Sequence, residues 1–514
     1  MFKKIIKHTS IMTTGTLVSR VLGFIRDILL AKFFGTSDVF EAFLVSFRLP
    51  NIFRSIFAEG FTDSVATPVL SEYHSEKEKM FEVGQRLICI FSIVLSIFTI
   101  LGVIFSKQLV MITAPGYISD PYKFNLAVSF TRITFFYLLL IGLSSVMISI
   151  LYSLKKFIVP AYNPVFLNLT FIPGILFFSS YFKNYILVVC VIVAGVLELI
   201  FPLFALKREG FVFKFRIKEA IADPALKRMF KLFVPRIWAS IVYQLNVFID
   251  TIFASFAQIT GVGALAAINY ANRLIQLPFA LIVLSIAPVV VVDFSKYHKD
   301  GNMEDFKKLL VFSFQNIIFF VVPISIIFIF LPQAIIDILF KRGEFGASSL
   351  DITSSALFYY SFGIFFFCMN RLMVTSFYAL KDTRTPAKTA TIALLVNVVF
   401  SAALMFPLKI GGVALATSIS SMVSFILLYR YLIKRIGKVD WGNTKEQAMK
   451  VLFLSILVGF IASLLWSNMP YNKYTKGLVI SGVSLAIFTS LGLIVGLKQF
   501  HYIKRWILGR GQKM

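Results

Sequence analysis

Besides Arg132, Arg236 and Arg371, five arginines lie inside apolar stretches where charge is expensive. Arg20 and Arg26 fall in "TLVSRVLGFIRDILLAKFFG", Arg48 and Arg54 in the apolar run that follows, and Arg273 in a later one. A charge at mid-bilayer costs about 2.5–3.5 kcal/mol even on the lenient insertion scale, so the set requires a wet cavity or anionic partners. Three acids lie close in sequence. Asp27 is two turns from Arg20 on one helical face, and Glu41 and Glu59 sit in the second apolar run. Internal pairing with these acids would account for single arginines, but five cations against three acids leave a positive surplus. Guanidinium forks match phosphate oxygens, which accept bidentate hydrogen bonds, better than amines or neutral sugars. Arg26 lies about 120° around a helix from Arg20, so a cavity reaching both must be broad.

The elements that carry these residues follow from composition. The chain has 514 residues, 58% of them hydrophobic, and a mean hydropathy of +0.84. Apolar runs of about 20 residues recur along it, as in a polytopic membrane protein. Spans are expected near 10–33, 38–68, 87–113, 126–153, 157–181, 184–206, 232–257, 263–294, 309–332, 351–379, 386–407, 410–433, 448–467 and 476–498, which makes about fourteen transmembrane helices of an all-α protein. The first is read as a retained span, because no A-x-A site follows "MFKKIIKHTS". A net charge of +26 would suggest nucleic acid in a soluble protein. Sorted by side of the membrane it becomes a topology signal instead, and no nucleic-acid partner is expected. With both termini in the cytoplasm, roughly 34 Lys and Arg fall inside and about 9 outside. Cys89, Cys190 and Cys368 all lie in apolar runs and read as core residues.

Sliding the chain on itself by about 225 residues brings four patterns into register. "DILLAKF" at Asp27 meets "DTIFASF" at Asp250, and "RL" at Arg48 meets "RL" at Arg273. "YH" at Tyr73 meets "YH" at Tyr297, and "YSLKKFIVPA" at Tyr152 meets "YALKDTRTPA" at Tyr378. Six spans separate the copies, an even number, so the two repeats are parallel. The expected organisation is a six-helix N-terminal lobe at 1–206, a basic cytoplasmic linker at 207–231, a six-helix C-terminal lobe at 232–433, and two additional helices with a basic tail at 434–514. In transporters built this way the site lies near the midplane between the lobes, on the first two helices of each. Arg26 and Arg54 correspond under the repeat to Ile249 and Phe279, so the N-terminal side is the more cationic.

"SRVLGFIRD" (19–27), "AFLVSFRLPNIFRSIFAEG" (42–60) and "YANRLIQLP" (270–278) resemble the MurJ (MviN) family of lipid II flippases, within the multidrug/oligosaccharidyl-lipid/polysaccharide exporter superfamily. The resemblance covers the whole fourteen-span layout. It implies a flippase that moves undecaprenyl-diphosphate-linked disaccharide-pentapeptide outward across the bacterial inner membrane by alternating access. On that reading substrate is bound by Arg20, Arg26, Asp27, Arg54, Glu59 and Arg273, and Arg48 joins them from the placement of the intramembrane charges. No residue is catalytic, and the partners are membrane lipids and the cell-wall synthesis machinery around a monomer. Glu41 and Asn272 stand where many members carry Asp. Some relatives hold a sodium ion, for which the matching positions are Asp250, Asn397, Ser401, Val413 (through its carbonyl) and Thr417, Ser401 replacing an expected acid; no other cofactor is implied. The last two spans resemble a pair that forms an apolar groove for the lipid tail.

Rival readings make different demands. An exporter of another polyprenyl-diphosphate-linked polysaccharide would share the arginine surplus. A drug exporter of organic cations would want acids and aromatics in its place. An intramembrane lipid-diphosphate enzyme needs a placed base, nucleophile or metal cluster, whereas His8, His74, His298 and His501 lie near membrane edges or tails. No G-x-x-x-x-G-K-[ST] provides for ATP hydrolysis.

Overall fold

A computed structural model describes residues 2–215, 217–279 and 284–500; within these, the side chains of 2–9, 57–59, 63–64, 234–243, 277 and 284–289 are not described. The described residues contain helices and turns and no strand. They form two compact units, Met1–Phe256 and Ala257–Met514.

In the first unit, α1 spans Phe2–Phe34 and α2 Asp38–Arg54, the latter capped by the Ser37 hydroxyl, which accepts from the Phe40 N–H. Directly after Arg54 the helix widens into a π-helical segment, Ser55–Ala66, and then tightens into α3, Thr67–Ser71. There follow α4 (Lys77–Ile104), α5 (Ser106–Thr113), α6 (Pro121–Ser153), α7 (Ile158–Tyr162), α8 (Val165–Phe182) and α9 (Ile186–Arg208). The linker forms α10 (Ile217–Ala222), and α11 (Pro224–Ala254) completes the unit. The central helix is α6, packed against α2, α4 and α9. It is apolar around its whole circumference, as a helix enclosed by others must be.

Small residues seat α1. Gly15, Ser19 and Gly23 recur every four residues and so form one stripe, the pattern that lets membrane helices approach closely. A Cβ at Gly15 would lie 2.5 Å from the Ala161 carbonyl oxygen of α7, so only glycine fits there. One turn on, Asn168 of α8 donates its amide to the Ser19 carbonyl at 2.9 Å.

The linker is docked on the unit. Arg86 of α4 binds Asp223 at 2.7 Å, and Glu209 takes Lys156 at 2.7 Å and Lys77 at 3.5 Å. The hydrogen bond from Lys156 holds the Glu209 carboxyl below its ordinary value.

The second unit repeats this order. It comprises α12 (Ala257–Thr260), α13 (Ala264–Pro278), α14 (Leu284–Lys299), α15 (Met303–Phe330), α16 (Pro332–Leu339), α17 (Ala347–Ser361), α18 (Ile364–Ala379), α19 (Arg384–Leu408), α20 (Ile410–Ile436), α21 (Thr444–Asn468) and α22 (Lys473–Ile494). The repeat extends to backbone detail. Lys155 and Lys381 both adopt left-handed φ values, 59° and 58°, as do Lys183 and Lys409 at 47° and 52°. The single helix α6 is matched by α17 and α18, which meet at a 46° bend. The extra pair α21 and α22 packs through Ala462 and Ile480 onto Leu331 and Ala334 at the α15–α16 junction.

Each of the fourteen expected spans falls on a helical region. By length and hydropathy alone, eight stretches among the described residues are able to cross a membrane, nine with the bent pair, and 158–208 counts as one although it holds two expected spans. Arg20, Arg26, Asp27 and Lys32 keep α1 out of that set, and the change of helix type after Arg54 keeps α2 out.

Candidate functional site

In the first unit the arginines divide by environment. Arg26 turns back on its neighbour, donating to Asp27 Oδ1 from Nε at 3.1 Å and from Nη2 at 2.8 Å. Its guanidinium lies 5.7 Å from the centre of the Phe171 ring of α8, within cation–π range. Asp27 is buried, 6% exposed. Arg20, two turns before Asp27, is exposed beside Leu17 and Val21, and no ion pair holds it among the described residues. Of the internal pairings open to Asp27, the structure holds Arg26–Asp27 and not Arg20–Asp27: adjacent side chains that bend toward each other need no span of two turns.

Glu41 is likewise engaged elsewhere than the sequence reading placed it. Lys123, at the start of α6 and only 2% exposed, binds Glu41, and it also binds Asp38 at 2.9 Å. The Tyr117 ring lies 4.6 Å from the ammonium. This cluster ties α2 to α6 and draws Glu41 into an ion pair at the helix start. Glu59 lies outside the described side chains.

Arg48 is half-buried on α2. Arg54 closes that helix, and its Nε donates to Asn51 Oδ1 at 2.9 Å. The next residue, Ser55, accepts from the Gln244 amide of α11 at 2.8 Å, which fixes the start of the π-helical segment. Such segments recur at functional sites because they displace side chains from the regular helical spacing. The charges of Arg54 and Arg26 both reach the hydroxyl of Tyr137, a buried residue of α6, so these two arginines converge on one region of the unit.

Sequence reading passed over Tyr137's partner. Glu198 of α9 is 2% exposed and accepts from the Tyr137 hydroxyl at 3.0 Å. A lone acid in "VCVIVAGVLELIFPL" carries the signal that drew attention to the arginines, an ionisable group at membrane depth. Lys123 was missed for another reason: it stands in a polar turn, and only tertiary packing buries it.

In the second unit Arg273 is exposed on α13, beside Asn272, whose Oδ1 accepts from Gln276 at 3.3 Å. Four of the five expected cation ligands come together between α19 and α20. Asn397 Oδ1 accepts from Ser401 at 3.2 Å and from Thr417 at 3.5 Å, and the Thr417 hydroxyl also reaches the Val413 carbonyl at 3.2 Å. These are oxygen ligands of the kind a hard cation takes. Asp250, 8% exposed on α11, belongs to the first unit. No cluster of three or more His, Cys, Asp or Glu able to hold a metal occurs among the described residues.

Comparison with known proteins places this arrangement. A family model described as lipid II flippase MurJ matches residues 30–483. A probable lipid II flippase MurJ from Buchnera aphidicola subsp. Acyrthosiphon pisum is 35% identical over 430 residues, 82% of each chain. The lipid II flippase MurJ of Burkholderia cenocepacia is 30% identical over 426 residues, again 82% of each. Among solved structures, lipid II flippase MurJ in an inward closed conformation aligns with a TM-score of 0.78 at 26% identity, covering 97% of this chain and 99% of that one. An inward-facing multidrug transporter of the MATE family aligns with a TM-score of 0.68 at 14% identity, a likeness of fold alone. With the family model spanning nearly all of both units and relatives matching at this level, the chain belongs to the MurJ family.

Proposed function

We propose that this chain flips lipid II, the undecaprenyl-diphosphate-linked disaccharide-pentapeptide, from the inner to the outer leaflet of the bacterial cytoplasmic membrane by alternating access. As a member of its family it is a multi-pass membrane transporter, not an enzyme. The observation that carries the reading is the family match over 30–483. The convergence of Arg26 and Arg54 on Tyr137 adds support for the cationic part of the mechanism. On this reading Arg20, Arg26, Arg48, Arg54 and Arg273 supply charge-assisted hydrogen bonds to the diphosphate, in place of the water that a dianion cannot leave behind unaided. The carrier works as a monomer among membrane lipids, beside the cell-wall synthesis machinery, with both termini cytoplasmic.

The test is accumulation of lipid-linked precursor in cells depleted of their own flippase. Wild type should prevent it, whereas Arg54→Ala and Arg273→Ala should fail at normal membrane abundance. Lysine at either position should rescue only in part, since it restores charge without the fork. Normal flux in both alanine variants would remove the cationic mechanism.

The oxygens of Asn397, Ser401, Val413 and Thr417, with Asp250, are proposed to take a sodium ion, which would supply a positive charge to the carrier's resting state. Asp250→Asn should lower flux while leaving lipid binding measurable, because the defect lies in resetting the carrier. Equal flux of variant and wild type across sodium gradients would discard the site.

A further inference from the structure

Glu198 has no part in the mechanism above, yet its surroundings are built around it. The carboxylate accepts one hydrogen bond, from Tyr137 at 3.0 Å, and the charge of Arg54 reaches it. Gly195, one turn earlier on α9, makes room for the tyrosine: a Cβ there would lie 2.8 Å from Tyr137 Cδ2. The backbone at Glu198 is pinned as well, because Ser144 of α6 donates to its carbonyl at 2.6 Å and is itself held by the Asn163 amide at 3.1 Å. Tyr137 packs 5.5 Å from Phe47 of α2, so the pair sits against the helix that ends in Arg54.

The other ionisable groups near α9 are few. From α6 the facing group is Tyr137. The helix α8 bears no charged residue, Tyr162 is the titratable residue of α7, and Lys183 stands before the far, N-terminal end of α9. Arg26 acts on Tyr137, and Arg54 on both members of the pair.

We infer that Glu198 is a proton-binding site coupled to the occupancy of Arg54. When the diphosphate takes Arg54, the positive charge that acts on Glu198 through the Tyr137 region is offset by the ligand's negative charge, and the buried carboxylate takes one proton from solvent water to become a neutral carboxyl. When the ligand leaves, the O–H bond breaks, the proton returns to solvent and the electron pair stays on Glu198 as a carboxylate. Linkage makes this reciprocal: ligand binding takes up a proton, and a lower pH tightens ligand binding. Glu198 is thus a positioning residue acting through Arg54, and the inference rests on the proposed binding of diphosphate by that arginine.

The experiment uses the purified full chain in nanodiscs and neryl-diphospho-N-acetylglucosamine, a diphosphate diester whose phosphates do not titrate near neutral pH. Affinity is measured against pH, and proton uptake is read by calorimetry in buffers of different ionisation heat. Wild type should bind more tightly as pH falls, with a slope approaching about tenfold per unit for one linked proton. Glu198→Gln, which keeps size and hydrogen bonding, should bind with little pH dependence and no net uptake. In the wild type labelled at glutamate with carbon-13, an infrared band of a protonated carboxyl should appear on binding, a readout that needs no variant. If binding depends on Arg54 but Glu198→Gln keeps the wild-type slope and uptake, or if the carboxyl band is absent, the inference is overturned while the diphosphate site stands. If wild type does not bind the probe, or Arg54→Ala binds it equally well, the diphosphate site itself is wrong and the inference falls with it.

Discussion

Arg26 serves two purposes that a single substitution would confuse. It is the partner of buried Asp27 at 2.8 Å and one of the arginines assigned to the diphosphate. Removing the guanidinium takes a charge partner from the buried Asp27 carboxylate, which destabilises the fold. Arg26→Ala should therefore lose both membrane abundance and flux. Adding Asp27→Asn should restore abundance, because the buried negative charge that faced Arg26 is removed with it, without restoring flux. Immunoblots of membranes beside precursor accumulation separate the two effects; flux recovered by the double variant would make Arg26 a structural partner only. At this scale the sequence revealed which groups are costly but not how they pair. Arg20 and Asp27 share a helical face, yet the adjacent guanidinium wins. Glu41 binds Lys123, which is 82 residues away, a contact made only once α6 has packed on α2. Glu198 was within reach of the same reasoning, since an acid in an apolar run is as costly as a base.

Elements were more legible than pairs. Each apolar run between polar breaks falls on a helical region, although the short helix α10 lies outside those runs and α12 and α16 only touch their ends, and the repeat seen in "YSLKKFIVPA" and "YALKDTRTPA" reappears as two turns of the same form. In them the backbone N–H groups of Lys156 and Asp382 donate to the carbonyls of Leu151 and Phe377, each at 2.9 Å. The change to π-helical geometry after Arg54 was not legible, because it depends on how that segment packs against α6 and α11. The seat of α1 offers a contrast within one stripe. A Cβ at Gly15 meets backbone at 2.5 Å, which cannot yield, whereas one at Gly23 meets only the Asn168 amide at 3.7 Å. Gly15→Val should separate α1 from α7 and destabilise the protein by about 1–3 kcal/mol, the usual cost of overpacking. Gly23→Ala should be tolerated. Melting of the two variants in detergent decides this, and equal melting temperatures would mean that α1 is not seated through Gly15.

For the whole molecule, the sequence sets orientation through the placement of its cations, and local structure shows how the expected outer ones are accommodated. Lys123 is bound by Glu41 and Asp38, Lys473 binds Asp337 at 3.2 Å, and Lys341 reaches the same carboxylate at 3.9 Å. Arg342 donates to the Ile338 carbonyl at 2.7 Å, and Lys476 to that of Trp466 at 3.1 Å. These outer cations are few, roughly 9 against about 34 inside, and that inside excess of Lys and Arg governs insertion. The loop 207–231 carries a dense run of basic residues and should face the cytoplasm with both termini. In a background lacking Cys89, Cys190 and Cys368, single cysteines at Ser119 and Tyr474 should react with an impermeant thiol reagent in intact spheroplasts, and one at Lys214 should react only after lysis. Labelling of the Lys214 site in intact spheroplasts, with Ser119 and Tyr474 protected, would invert the orientation and with it the outward direction of lipid II transport proposed above.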